Sequence, residues 1–544
     1  MGGRTGRSIV DGGPPMRGNG VDVADLDLLF SDVTVVDGTG APAFEGSVGV
    51  AGDRIAWVGR CGAAAPQAMR RVDGTGRVLA PGFIDVHTHD DHLPFVDPAM
   101  AATIRQGVTT VVVGNCGVSL WPPRDLDMFA EYLVDYPDFG RGWQGCGDYL
   151  DAVAACRPAV NVATLAGHGT LRAQVMGYER RPPDSGELAR LRELAAEAVA
   201  EGALGLSTGL VYAPGMYADT DEIAAIAAAV APAGGIYASH IRGEGRLVFA
   251  AVREALEIGR RAGVPAHVSH LKLEGRDVWG RTGELLALFE GEDATADQYP
   301  YTAWMTDLSS FLPPWAPVDG LAELLASPSD HRRLADTVEH GEAAWQSSLE
   351  GTGWECMVLA TAAEPSWEGK DLAAIAAELG EPPVETMFRV LLDKPDAMVV
   401  GHAMSENDVR AILARPDVMV GSDGMPLPDD ERFRLATDHP RSYGTFPRVL
   451  GRYARDERLL ALDTAVRKMT SLPADRFGLR DRGRIADDAY ADLVLFDPAT
   501  VADGADFAHP FTPPTGVELV VVNGHVAWDG SVCGRAGRAL GRGR

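Results

Sequence analysis

The sequence predicts an α/β fold, a TIM-like (β/α)8 barrel with a small β-sandwich built from both chain ends. Three observations predict it. Eight short apolar runs alternate with helical segments through the middle of the chain. Strand-rich stretches punctuated by tight-turn dipeptides lie at both ends. Most of the eight runs also end in polar residues able to do chemistry, as strands feeding the catalytic mouth of a barrel do.

In chain order, residues 1–24 read as a flexible leader, Gly- and Arg-rich and without the apolar stretch of a secretory signal. Residues 25–75 read as the N-terminal part of the sandwich, with turns at Asp37-Gly38, Gly52-Asp53 and Asp73-Gly74. The barrel occupies 76–478. Its strands are expected at Val78–Val86, Val108–Gly114, Val160–Ala166, Ala203–Ser207, Gly235–Ser239, Val264–Ser269, Ala294–Tyr299 and Val418–Ser422. Gly186–Gly202 is helical, with Leu188, Leu191, Leu194, Ala195 and Ala198 on one face, and Leu247–Ala262 stops at Gly263. The stretch of about 307–397 exceeds one connection and reads as an insertion. Residues 479–532 complete the sandwich, with an Asn523-Gly524 hairpin, and 533–544 read as a flexible tail.

Composition excludes several classes. The 77 acidic residues against 49 basic give a net charge of −28, a surface that repels nucleic acid and anionic membranes. No apolar run approaches the roughly 20 residues a spanning helix needs. Six cysteines without a CxxC pair form no disulfide framework, which fits a reducing cytoplasm. Nothing in the sequence indicates an oligomer.

The chemistry sits where the strands end. In His87-Thr88-His89 two imidazoles one residue apart share one side of an extended strand, with Asp90, Asp91 and His92 behind them. Cys116 follows strand two, His168 strand three, Tyr212 strand four and His240 strand five. His270 and Lys272 follow strand six, Asp297, Tyr299 and Tyr301 strand seven, and Asp423 strand eight. Singly, each is an ordinary buried or turn residue; their joint placement points to a metal centre. Cys116, His240 and His270 suit zinc with one position open, and His87, His89 and Asp423 form a harder set for a second, weaker ion. A bound divalent ion lowers the pKa of water from about 16 towards about 7, and Asp423 beside it could move the proton to a leaving nitrogen.

HTHDD, GNCG, STGLVYAPGMYA, SHIRGEG, SHLK, DQYPY, GSDG and HPRSYGTFPRVLGRYAR, in that order from about residue 27 to 530, resemble the N-acyl-D-amino-acid deacylases (D-aminoacylases) of the amidohydrolase superfamily. The resemblance implies zinc-dependent hydrolysis of N-acyl-D-amino acids, small-molecule substrates, to a carboxylate and a free D-amino acid. It implies Cys116, His240 and His270 at the tight zinc, His87 and His89 at the weaker site, and Asp423 as general base and then acid. It also implies Tyr212, Lys272, Tyr299 and Arg441 as substrate contacts. The sequence departs from the family after YPY, where small residues give way to Trp304, Met305 and Thr306. His402 has no role in this pattern and reads as a buried, hydrogen-bonded histidine. Two other readings stand beside this one: a cyclic amidohydrolase opening a hydantoin, lactam or dihydropyrimidine ring, and a barrel without catalysis kept for binding.

Overall fold

A computed structural model describes residues 26–122, 139–140, 142–428 and 437–542. The expected leader, 1–24, lies outside the described residues.

Eight short parallel strand segments surround the centre. Phe83–Asp85, Val108–Val113 and Asn161–Thr164 pair in sequence order. The chain then passes through Leu165 into Ala166–Gly167, which pairs with Gly205–Gly209. Ile236–His240, Ala266–Val268, Ala294–Gln298 and Val418–Val420 follow in order. The ring meets itself where Asp423 N donates to His87 O at 2.7 Å and His89 N to Gly424 O at 2.8 Å. Inward residues Val112, Leu165, Ala238 and Met419 fill the interior, which Phe477 and Leu479 plug from below.

Helices form where the sequence marks them. Ser185–Glu201 starts with a reciprocal capping box between Asp184 and Glu187 and buries Leu191, Leu194, Ala195 and Ala198. Val248–Ala262 stops at Gly263, whose φ of +69° is the left-handed turn glycine tolerates.

Strands from both chain ends make one eight-stranded sheet. In its N-terminal strand, Leu26–Val35, the first half pairs with Ala68–Asp73 and the last residues with Val78–Pro81, so the sheet bends at the bulge between Phe30 and Val33. Leu28, Phe30, Val48, Leu493 and Val521 share its core. Asn523 and Gly524, both at positive φ, turn the hairpin between Val517–Val522 and His525–Trp528.

Three expectations need correction. Val78–Val86 is not one strand: Val78–Pro81 pairs within the sheet of the chain ends, and only Phe83–Asp85 enters the barrel. Gly82 is the pivot, since a Cβ there would lie 2.2 Å from Thr109. The insertion is wider than 307–397, because Trp304–Asp307 and Met357–Leu359 both pair antiparallel with Met398–Gly401, over a separate core that includes Phe311, Leu334 and Phe388. The tail is docked rather than flexible. Val162 N donates to Arg538 O, Leu540 N to Val162 O and Arg542 N to Gly202 O, and Leu540 packs against the barrel plug.

Candidate metal centre

The barrel delivers the expected side chains to one place. His87 and His89 leave the end of strand one, 0% exposed and half-buried respectively. Cys116, His270 and Asp423 all adopt left-handed φ of +51°, +34° and +51°. Non-glycine residues held there cost of order 1–3 kcal/mol each, which the surrounding hydrogen bonds must offset. Around Cys116, Asn115 Nδ2 donates to Val112 O at 2.8 Å and Gly117 N to Ser207 Oγ at 3.1 Å. Around His270 and Asp423, His270 N donates to Asp297 Oδ1 at 2.9 Å and Ser422 N to Asp85 Oδ1 at 2.9 Å.

Their donor atoms converge. The Cys116 sulfur lies 3.3 Å from His87 Nε2 and 3.6 Å from His270 Nε2, and His270 Nε2 lies 3.0 Å from His240 Nδ1. Asp423 Oδ1 sits 3.3 Å from His87 Nε2 and 3.2 Å from His89 Nε2. Two sets result, His87–His89–Cys116–Asp423 and Cys116–His240–His270, sharing the thiol, and within each set every ligand atom lies within 4.8 Å of the others. Such a convergence of lone pairs needs protons or a cation between them, and a thiolate with two imidazoles suits zinc.

Electrostatics agree with a site built for positive charge. Burial alone would raise the Cys116 thiol, but His87 and hydrogen bonds from His240 and His270 hold it well below its ordinary value. Burial likewise opposes ionisation of Asp423, yet Arg441, His270 and His87 keep its carboxyl well below the usual range. Despite burial, His89 is raised to about 10 by Asp423 and Cys116. The proton on His89 occupies a position that a divalent cation can take over.

Two further carboxylates back these imidazoles, Asp297, which the sequence places at the end of strand seven, and Glu244, which the sequence reading did not single out. Glu244 Oε1 lies 2.9 Å from His270 Nδ1 and 2.6 Å from Lys272 Nζ, which itself lies 2.8 Å from His270 Nδ1. Asp297 Oδ2 lies 3.2 Å from His87 Nδ1 and 2.9 Å from His267 Nε2. In both imidazoles Nε2 faces the cluster while Nδ1 is backed by a carboxylate, the arrangement that fixes the orientation of a metal ligand. The only local signal for Glu244 is its place four residues after His240.

Tyr212, Lys272, Tyr299 and Arg441 all line the same cavity of about 780 Å³. Tyr212 shares a 2.8 Å hydrogen bond with Thr306. The Tyr299 hydroxyl, 1% exposed, has no partner among the described residues. Arg441 Nη1 lies 2.6 Å from Asp423 Oδ2, its Nη2 donates to Met305 O at 3.1 Å, and its guanidinium sits 5.0 Å from the Tyr299 ring centre. Other candidates go elsewhere. Asp91 accepts from Gly114 N at 3.0 Å and Asp90 from Thr88 Oγ1 at 2.7 Å, so both brace the loop after strand one. His168 lies 3.3 Å from Glu222 in a buried group with Arg172. His402 is exposed with its ring 4.7 Å from Phe507, not the buried histidine expected.

A barrel whose strand ends bring thiol, imidazole and carboxylate ligands into one cavity defines a metal-dependent hydrolase. Residues 70–527 match the amidohydrolase family, and the chain belongs to it. It is 41% identical to the D-aminoacylase of Alcaligenes xylosoxydans xylosoxydans, over 96% of this chain and 99% of that protein. With the N-acyl-D-glutamate deacylase of the same organism it shares 38% identity, over 92% and 93%. Among solved structures, a D-aminoacylase superimposes with a TM-score of 0.79 at 40% identity, covering 95% of this chain and 100% of that one. The N-acyl-D-glutamate deacylase of Bordetella bronchiseptica, solved with zinc and a phosphonate mimic of the tetrahedral intermediate, gives 0.79 at 35%, covering 95% and 99%.

Proposed function

We infer that this chain hydrolyses the amide bond of N-acyl-D-amino acids, releasing a carboxylate and a free D-amino acid, with zinc held by Cys116, His240 and His270. His87, His89 and Asp423 would hold a second, weaker ion. The observation that carries this reading is the thiol of Cys116 shared by two ligand sets at the wall of a single cavity. Its support in substrate class is the 36–41% identity to three deacylases over nearly their full lengths. When bound, zinc would polarise the scissile carbonyl and bring water near neutral pKa.

The chain's own residues supply the rest. Asp423, held ionised, takes the proton of the attacking water and returns it to the amide nitrogen as the C–N bond breaks. Tyr299, its hydroxyl without a partner among the described residues, donates to the oxygen on which charge develops. Arg441 and Lys272, both close to the Tyr299 ring, hold the substrate carboxylate, and Tyr212 closes the wall near Thr306. A reducing cytoplasm is the proposed setting, supported by six scattered cysteines with no CxxC pair; no helix among the described residues is long and apolar enough to cross a membrane.

Open-chain N-acetyl-D-amino acids assayed beside their L-enantiomers and beside hydantoins and dihydropyrimidines test the reading, with zinc measured per chain. Release of D-amino acid, lost on chelation and restored by zinc, is expected. Ring opening without release of any D-amino acid would replace it with the cyclic amidohydrolase. Hydantoinase and dihydropyrimidinase structures share the fold, at 14–15% identity.

A further inference from the structure

Charge is unevenly matched around the cavity. Among the described residues, four lysine and arginine side chains line it, and each has a carboxylate partner: Arg242 with Glu254 at 2.9 Å, Lys272 with Glu244 at 2.6 Å, Lys394 with Asp396 at 3.2 Å and Arg441 with Asp423 at 2.6 Å. Glu274, also in the lining, has no cation within ion-pair distance among the described residues. It is 7% exposed and belongs to the cavity lining. The Trp304 indole faces its carboxyl without completing a well-formed hydrogen bond. A buried carboxyl without a cationic partner costs free energy on ionising that a cationic ligand can recover.

Resting on the proposed deacylase reading, we propose that Glu274 is a specificity-determining residue, receiving a cationic side chain of the substrate such as that of an N-acyl-D-lysine. Glu274 belongs to the wall that carries Lys272 and Tyr299, within electrostatic reach of both. A lysine side chain leaving a Cα whose carboxylate is held there has four methylenes with which to bring its ammonium to that wall. Burial raises the Glu274 carboxyl to about 8, so it carries little charge until an ammonium arrives, and a cation is the ligand that makes it ionise. A second carboxylate on the substrate would instead meet Glu274, and among the described residues every lysine and arginine of the lining already has a carboxylate partner. Asp307, also lining the cavity and raised to about 6, adds to the same bias.

The test compares kcat/KM for Nα-acetyl-D-lysine, N-acetyl-D-norleucine and N-acetyl-D-glutamate on the zinc-loaded enzyme. Lysine and norleucine share the same four-carbon chain, so their ratio isolates the ammonium. A preference for lysine of about tenfold or more is expected, as one charge-assisted contact would give, with glutamate slowest. In Glu274→Gln the lysine-to-norleucine ratio should fall towards one, and Glu274→Met serves the same purpose if the amide variant does not fold. A wild-type enzyme that favours norleucine or glutamate over lysine overturns the proposal, as does a Gln or Met variant that keeps the ratio. Those results would leave the deacylase reading standing. Release of no D-amino acid from any of the three would sink that reading itself.

Discussion

Asp423 and Arg441 form a buried ion pair, 2.6 Å from carboxylate oxygen to guanidinium nitrogen, at the wall of the metal-ligand cluster. The pair outweighs the burial that would otherwise protonate Asp423. A carboxylate held in this way is ionised throughout the neutral range, the state the proposed role as general base requires. Asp423→Asn keeps size and hydrogen-bonding capacity but removes that acceptor. Turnover should fall about 10²–10⁴-fold while the zinc on Cys116, His240 and His270 is retained. Near-normal turnover in this variant would remove Asp423 from the chemistry.

Cys116 and Glu244 act on the metal at different depths. Cys116→Ala takes a ligand from both clusters, so zinc per purified chain should drop well below one, and activity with it. Glu244→Gln leaves every ligand in place but loosens the backing of His270 Nδ1 and frees Lys272. Zinc affinity, measured by competition with a chromophoric chelator, should weaken about 10–100-fold. Unchanged affinity would show that Glu244 serves only Lys272.

Trp304 and Gly401 fit each other across the inserted sheet. They are paired in register, and a Cβ on Gly401 would stand 2.3 Å from the indole ring, which also packs 6.0 Å from Phe311. Gly401→Ala should therefore destabilise the chain by about 1–3 kcal/mol, read as a lower midpoint in thermal or urea unfolding. Adding Trp304→Ala should make the Gly401 substitution nearly neutral. Full additivity of the two changes would mean that the contact is not the cause.

Lys468 carries a pH signature. Its amine donates to Arg415 O from the helix Leu462–Met469, and burial lowers its pKa to about 7 from 10.5. Between those values the unfolded chain holds a proton that the native chain has released, so this residue's contribution to stability rises with pH across that window. Below about pH 7 its cost is fully present. The slope is at most about 1.4 kcal/mol per pH unit. Lys468→Met should thus lose stability relative to the parent as pH climbs from 7 to 10, in urea midpoints measured for both. A constant difference would mean that Lys468 titrates normally.

The (β/α)8 architecture and the convergence of six metal-competent side chains were legible in the chain itself, because each depends on local pattern. A strand of apolar residues, a histidine or cysteine just past its end, and the rule that such ends share one mouth suffice to place His87, His89, Cys116, His240, His270 and Asp423 together. Some boundaries were missed. Pro81-Gly82 divides Val78–Val86 between two sheets, a turn signal the sequence reading passed over, with Gly82 placed by its close approach to Thr109, and the tail docks by backbone hydrogen bonds that carry no residue signature.

What surrounds the ligands was decided only by the tertiary structure. Glu244 finds His270 26 positions along the chain, Arg441 finds Asp423, and Trp304 finds Gly401 across nearly a hundred residues of insertion. Glu274 in sequence is one more glutamate beside a glycine turn; folding places it in the cavity wall without a cation. The physical reason is common to all four. A ligand's position follows from strand periodicity, whereas the partner of a charge or a ring depends on the path of loops whose geometry only the closed chain determines.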